Sequence, residues 1–124
     1  MFHSVRIDKS KAVRADSPLF EGVVYRQTLI EGSDAESAAV FFENGARTRP
    51  HTHSTDQVLT VVEGTCVVAD ATERKLLGVG EVALVKKGEW HWHGANKHTD
   101  ACHITTRTPG PTSQDVEERD WANW

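Results

Sequence analysis

The chain has few cysteines, no excess of basic residues and no long hydrophobic run, and each shortage excludes a class of protein. Its 124 residues carry a net charge of −4, which leaves no basic surface of the kind that binds nucleic acid. The apolar stretches are short, as in residues 82–85, and none approaches the length of a membrane-spanning helix. We therefore expect neither a nucleic-acid partner nor a membrane partner.

The cysteines and the N-terminus bear on the compartment. Two cysteines, Cys66 and Cys102, are too few for a disulfide framework. Residues 1–8 show no basic region followed by an apolar one, so we expect no secretory signal. Both features favour free thiols and a cytoplasmic protein.

The body of the chain also lacks the periodicity of amphipathic helices. It consists instead of short runs of strand-forming residues separated by glycine- and asparagine-rich turns, a pattern that favours an all-β sandwich or barrel. The length fits one domain, residues 1–124. Strands are predicted over residues 23–30, 38–43, 57–62, 66–69, 81–86, 90–92 and 101–108.

The tail differs from the body. From Thr112 to Trp124 it begins with a residue suited to cap a helix and continues with acidic residues. This pattern predicts a short C-terminal helix.

Two pairs of histidines stand out, and in each pair the members are separated by one residue: His51 with His53, and His91 with His93. On a strand, residues at this spacing point to the same face. If the sheet closes on itself, four imidazoles can meet and bind a divalent metal, with Gln57 adding a neutral oxygen. Half-buried polar strand residues without a ligand produce the same spacing, and that interpretation stays open here.

Glycines extend the first pair into a longer pattern. Gly45, His51, His53, Gln57 and Gly64 follow the spacing of the first motif of the cupin superfamily, with glutamine where glutamate usually stands.

The second pair lies in a similar pattern. Gly80, Gly88 and His91 follow the spacing of the second cupin motif. Two positions depart from it: Lys86 replaces the usual proline, and Asn96 lies one place later than the motif's asparagine. Neither departure touches a ligand position.

Over residues 42–104 the chain therefore resembles the cupin superfamily. The resemblance implies a double-stranded β-helix, or jelly-roll barrel, preceded by N-terminal strands within residues 1–41 and followed by a tail, residues 109–124. It also implies that His51, His53, Gln57 and His91 ligate one divalent metal. The run from His91 to Ala95 is similar to that of small manganese cupins with three histidines and one glutamine, a group that includes bacterial hydroxynitrile lyases and cupins related to carboxymuconolactone decarboxylases. Manganese is therefore favoured over iron, nickel or zinc.

Other residues are candidates for a role beside the metal. His93 and His103 suit a general acid or base, since imidazole titrates near neutral pH. His93 equally suits a supporting role, in which the ring orients a ligand or a water, whereas catalysis or substrate contact is favoured for His103. Arg47 and Arg49 precede the ligands and suit either a substrate carboxylate or a solvated rim.

These features predict a metal-dependent enzyme acting on a small organic molecule, with lyase or isomerase chemistry favoured over an oxygenase. Two alternatives stay open, a non-catalytic cupin that binds or senses a small ligand and a metal-free structural cupin, because one fold hosts many functions. We expect a homodimer, for which the apolar segment of residues 17–30 is suited.

Overall fold

The all-β fold expected from the turn spacing is confirmed. A computed structural model describes residues 1–114 and 123 of the chain. Within them lie two antiparallel sheets and one short 3-10 helix, Lys9–Lys11, but no α-helix. No helix in this part of the chain is long and apolar enough to cross a membrane. The strands are β1 (Val13–Arg14), β2 (Phe20–Glu21), β3 (Val24–Glu31), β4 (Glu36–Phe42), β5 (Arg47–Thr48), β6 (His51–His53), β7 (Gln57–Glu63), β8 (Cys66–Asp70), β9 (Arg74–Leu77), β10 (Val82–Val85), β11 (His91–Ala95), β12 (Ala101–Arg107) and β13 (Thr112–Gln114).

The chain crosses repeatedly between the two sheets. The first sheet has the strand order β1-β3-β4-β12-β7-β10. The second has the order β13-β6-β11-β5-β2, with β8 paired to β11 and β9 paired to β8. The chain thus passes from β4 in one sheet to β5 and β6 in the other and returns at β7. This alternation brings the two histidine strands, β6 and β11, together as neighbours.

The core fills the space between the sheets. Val40, Phe42 and Val61 enter it from the first sheet, and Cys66 and Ala95 enter it from the second. Branched and aromatic side chains suit this half-buried pleated surface. Both cysteines are free and buried. The histidines project into the same layer, so the apolar core packs directly against the site.

The glycines of the first motif stand at turns that require them. Gly45 and Gly64 have φ angles of +75° and +68°, in the left-handed region that a side chain disfavours. A Cβ at Gly64 would also collide with the carbonyl oxygen of Asp100. These two turns fix where the strands that carry the site begin and end.

The prediction of a C-terminal helix beginning at Thr112 is wrong for its first three residues. Residues Thr112–Gln114 form β13, which pairs with β6 in the register Thr112 opposite His53 and Gln114 opposite His51. This pairing gives the backbone groups of the segment partners in a sheet, and it outweighs a local preference for a helix cap. The remainder of the predicted helix, residues 115–122 and 124, lies outside the described residues.

Candidate metal centre

Two short strands present the four histidines of the paired motifs. His51 and His53 lie on β6, His91 and His93 lie on β11, and His51 stands opposite His91 in the ladder between these strands. All four side chains are buried. The ring centroids of His51 and His91 are 4.2 Å apart. The expected meeting of the two pairs on one face is therefore confirmed.

The Nδ1 atoms of three histidines, His51, His53 and His91, have hydrogen-bond partners. Nδ1 of His51 lies 2.7 Å from the backbone oxygen of Arg49, and Nδ1 of His91 lies 2.9 Å from that of Glu89. A carbonyl oxygen can only accept, so in a neutral ring each of these Nδ1 atoms carries the hydrogen. The lone pairs of His51 and His91 are thereby left on Nε2, the arrangement that metal-binding histidines have.

Gln57 faces one of these lone pairs. Its Nε2 donates to Oγ1 of Thr105 at 2.8 Å, which turns Oε1 toward His91. Oε1 then lies 3.1 Å from Nε2 of His91. With the hydrogen of His91 on Nδ1 and the amide in this orientation, both facing atoms are acceptors, an arrangement that a cation near both would stabilise. Two ligand atoms at right angles on an ion, with bonds of about 2.1 Å, are about 3.0 Å apart, so this separation fits a shared metal.

Two further observations support the fit. Potential ligand atoms of His51, His91 and His93 all lie within 4.8 Å of one another, a group that contains His93 in place of the predicted ligand His53. His53 borders this group, with its ring centroid 4.8 Å from that of His51. Its Nδ1 lies 2.8 Å from Oγ1 of Thr112, whereas its buried Nε2 has no hydrogen-bond partner in the described part of the chain. A buried ring nitrogen without a partner, a feature that Nε2 of His93 shares, fits a place beside a cation. The residues present therefore fit a divalent metal.

His93 and His103 form a second pair deeper in the barrel. Nδ1 of His93 and Nε2 of His103 are 2.9 Å apart, so one of the two atoms carries a hydrogen that the other accepts. Both side chains are almost fully buried, and Phe42 packs against His103 with the ring centroids 5.1 Å apart. His93 thus contacts the metal candidates on one side and His103 on the other. The prediction that either acts as an acid or base stays a prediction.

Burial keeps these imidazoles neutral. It lowers the pKa of His51 to about 3, with neighbouring His91 as the next cause. Burial and then the positive charge of Arg107 lower the pKa of His53 to about 4. Burial also lowers the pKa of His103 to about 4, and it lowers the pKa values of His91 and His93. At neutral pH the cluster is uncharged, which is the state that binds metal.

A cavity of about 140 Å³ opens beside the cluster. Its polar wall includes His51, His53, Gln57, His93 and His103. A cavity of roughly 150 Å³ holds one benzene molecule, so this volume suits a small organic molecule. The apolar part of its lining is formed by Leu19, Phe20, Ala38 and Val40.

The arginines at the cavity are not the ones considered from the sequence. Arg47 lies 5.3 Å from the Trp92 ring, on the outer side of the second sheet, and Arg49 donates to the backbone oxygen of Pro18. Neither lines the cavity, whereas Arg26 and Arg107 do. Arg26 shares the inward face of β3 with buried Val24, but no sequence motif marks either arginine. Only the alternation of residues along β3 and β12 could have indicated them.

Two facing antiparallel sheets with a buried histidine cluster between them define a small barrel protein with a potential metal site. The profile of the Cupin domain family matches residues 39–106. The chain belongs to this family, and the resemblance read from the two motifs is confirmed.

Individual proteins extend the comparison. The (R)-mandelonitrile lyase of Granulicella tundricola is 33% identical in an alignment of 104 residues. The alignment covers 80% of this chain and 79% of that protein. The crystal structure of a cupin-like protein from Thermotoga maritima is 26% identical, covers 89% of each chain and superposes with a TM-score of 0.81. The polyketide cyclase RemF from Streptomyces resistomycificus superposes with a TM-score of 0.77 over 95% of this chain and 89% of its own, at 15% identity. That last similarity shows the fold alone, and the cupin barrel is thereby confirmed.

Proposed function

We propose that the protein is a divalent-metal-dependent lyase acting on a small organic molecule. The observation that carries the proposal is the contact between the Gln57 oxygen and the His91 lone pair, two acceptors 3.1 Å apart in a buried site. A cation beside both atoms would stabilise this pair of acceptors, and the unpartnered Nε2 of His53 would offer the same ion a further ligand.

In this proposal His51, His53, Gln57 and His91 hold the metal. All four ligands are neutral, because an amide replaces the usual carboxylate. When bound, an ion in such a set keeps its full charge and acts as a Lewis acid toward a substrate oxygen. Imidazole and amide ligands suit several divalent ions, and we propose manganese first, on the similarity of the ligand set to that of manganese cupins.

The name of one relative suggests the first substrate to test. Mandelonitrile carries a hydroxyl and a nitrile on one carbon, and its cleavage gives benzaldehyde and hydrogen cyanide. The hydroxyl loses its proton, the carbon–oxygen double bond forms, and the electron pair of the broken carbon–carbon bond leaves with cyanide, which takes up a proton. The single aromatic ring of this molecule suits the apolar part of the cavity lining.

The His93 and His103 pair is suited to handle the protons. Both rings are neutral at pH 7 because burial lowers their pKa values, so either can accept the proton that leaves the hydroxyl. The hydrogen held between His93 Nδ1 and His103 Nε2 lets a proton accepted by one ring be passed to the other. Both rings line the cavity, which supports a role for the pair in moving the substrate's protons.

Arg26 gives the cavity a preference in charge. Arg107 lies 3.7 Å from Glu36, but no carboxylate of the described residues forms an ion pair with Arg26. Nη1 of Arg26 donates to Oγ1 of Thr28, and the other N–H groups of the guanidinium are available to a negatively charged or strongly polar part of the substrate. We propose that Arg26 binds this part at the mouth of the cavity.

The test is turnover of racemic mandelonitrile, followed by benzaldehyde absorbance. The protein is assayed as purified, after removal of metal with a chelator and after reconstitution with manganese, iron, nickel or zinc. We expect activity that is lost on chelation, is restored by one of the metals and is absent from the His51→Ala, His91→Ala double variant. The matched control is His98→Ala, which removes an exposed histidine. Activity unchanged by chelation contradicts the metal role. A reconstituted protein that turns over neither mandelonitrile nor other small hydroxynitriles contradicts the lyase role and leaves a metal-binding module.

We also propose a homodimer in a reducing, cytoplasmic compartment. The two buried free thiols support the compartment. Apolar side chains on the N-terminal arm and edge strand support the dimer: Met1, Phe2, Val5 and Val13 are all exposed, which is costly in an isolated chain. Light scattering coupled to gel filtration tests it, and a single species at the monomer mass contradicts it.

A further inference from the structure

The Nδ1 atom of His53 has a different kind of hydrogen-bond partner from the Nδ1 atoms of His51 and His91. His51 and His91 face backbone carbonyl oxygens, whereas His53 faces the hydroxyl of Thr112. Thr112 lies on β13, a strand that reaches His53 from 59 residues further along the chain. Pairing of β13 with β6 sets Thr112 opposite His53.

Arg107 holds the threonine hydroxyl in place. Its Nη2 donates to Oγ1 of Thr112 at 3.2 Å and to the backbone oxygen of Gly110 at 2.9 Å. Its Nη1 donates to Oγ1 of Thr55 at 3.1 Å. The side chain of Arg107 thereby ties the end of β12 to the turn before β13 and to β13 itself. The position of Oγ1 is set by this network as well as by the strand pairing.

The difference between a hydroxyl and a carbonyl has a chemical consequence. A carbonyl oxygen can only accept, so it fixes the hydrogen of His51 and His91 on Nδ1. A hydroxyl can accept or donate, so Thr112 leaves both neutral forms of His53 open. For Nε2 of His53 to offer its lone pair, the ring must carry its hydrogen on Nδ1 and donate it to Oγ1. One lone pair of Oγ1 already accepts from Arg107, which leaves the second for His53.

We propose that Thr112 is a positioning residue of the metal centre, and that the C-terminal strand β13 is part of the site. The inference rests on the proposed metal site. Thr112 holds the ring of His53 so that Nε2 faces the cluster, and it accepts the Nδ1 hydrogen when His53 is a ligand. Thr112 lies beyond the region that matches the Cupin domain, residues 39–106, so this support is supplied by a segment outside that match.

Three variants test the proposal. Thr112→Val keeps the shape and removes the hydroxyl, Thr112→Ser keeps the hydroxyl, and Ser113→Ala removes a hydroxyl from the exposed neighbour on the same strand. The dissociation constant for Mn²⁺ is measured by competition with a chelator. Because removing such a supporting partner weakens metal binding by about 10- to 100-fold, we expect that loss for Thr112→Val alone. Thermal unfolding of the metal-free variants shows whether each is folded.

A second readout does not depend on metal. In the folded, metal-free protein, nitrogen-15 NMR of the imidazoles reports which ring nitrogen carries hydrogen. We expect Thr112→Val to change the His53 signals and to leave those of His51 and His91 unchanged. A folded Thr112→Val variant with wild-type affinity and an unchanged His53 spectrum overturns the proposal. A wild-type protein that binds none of Mn²⁺, Fe²⁺, Ni²⁺ and Zn²⁺ overturns the proposed function instead, and the NMR comparison then decides whether Thr112 positions the ring.

Discussion

Acidification should destabilise the metal-free protein steeply, because the folded chain buries several neutral imidazoles. The pKa is about 3 for His51 and about 4 for both His53 and His103 in the folded protein. In the unfolded chain each returns to about 6.5. Between pH 6.5 and pH 4 the unfolded chain therefore binds more protons than the folded one. Stability is fully present above pH 6.5 and falls as the pH falls.

The expected loss is large. For a single histidine with a folded pKa of about 4 or below, lowering the pH from 7 to 5 removes about 2 kcal/mol of unfolding free energy. His51, His53 and His103, taken as independent groups, together remove about 6 kcal/mol. A domain of this size has a total stability of about 5–15 kcal/mol. The metal-free protein is therefore expected to be close to unfolding at pH 5.

Urea unfolding at pH 7, 6 and 5, followed by tryptophan fluorescence, measures this loss. His103→Gln should reduce the pH-dependent loss by about 2 kcal/mol, since it removes one of the buried imidazoles. His3→Gln, which replaces an exposed side chain, serves as the matched control and should behave as the wild type. An unfolding free energy that changes by less than about 1 kcal/mol between pH 7 and pH 5 would refute the reasoning.

Three further predictions concern the reaction and the ligands. His103→Gln should lower kcat for mandelonitrile by about 100-fold or more, because it removes a proton acceptor, while elemental analysis shows unchanged metal content; an unchanged kcat places the acid–base role elsewhere. Gln57→Glu should tighten Mn²⁺ binding by about 10-fold or more, since it adds a charged ligand, and slow turnover because the ion becomes a weaker Lewis acid; weaker binding in a chelator competition contradicts this. Arg26→Gln should raise KM by about 10-fold for substrates with an anionic group, with Arg14→Gln on the neighbouring strand as the control. An unchanged KM argues that Arg26 does not contact substrate.

Much of the site was predictable because its spacing is local. The pairs His51 with His53 and His91 with His93 lie on one strand face each, so alternation alone places each pair together. Gln57 follows at the start of β7 at the motif's distance. The family resemblance then predicted that the two pairs meet, and the ladder between β6 and β11 confirms it.

The support around the site was not predictable in the same way. Thr112 reaches His53 only through the pairing of β13 with β6, a long-range contact that no local pattern encodes. Its sequence context favours a helix cap, and tertiary pairing overrides that preference. Short edge strands such as β9 were missed for a related reason, since their few residues carry little periodicity. Arg26 and Arg107 were missed because a charged residue on a strand gives no sign of which end of the barrel it lines.

Titration of Mn²⁺ into the metal-free protein by calorimetry tests the central claim most directly. We expect one ion bound per chain at pH 7, with binding lost in the His51→Ala, His91→Ala variant and retained in His98→Ala. If none of the four ions Mn²⁺, Fe²⁺, Ni²⁺ and Zn²⁺ binds in parallel titrations, the result would contradict a metal centre in the barrel. Binding that persists unchanged in the double variant would place the ion outside the histidine cluster, and it would contradict the account equally.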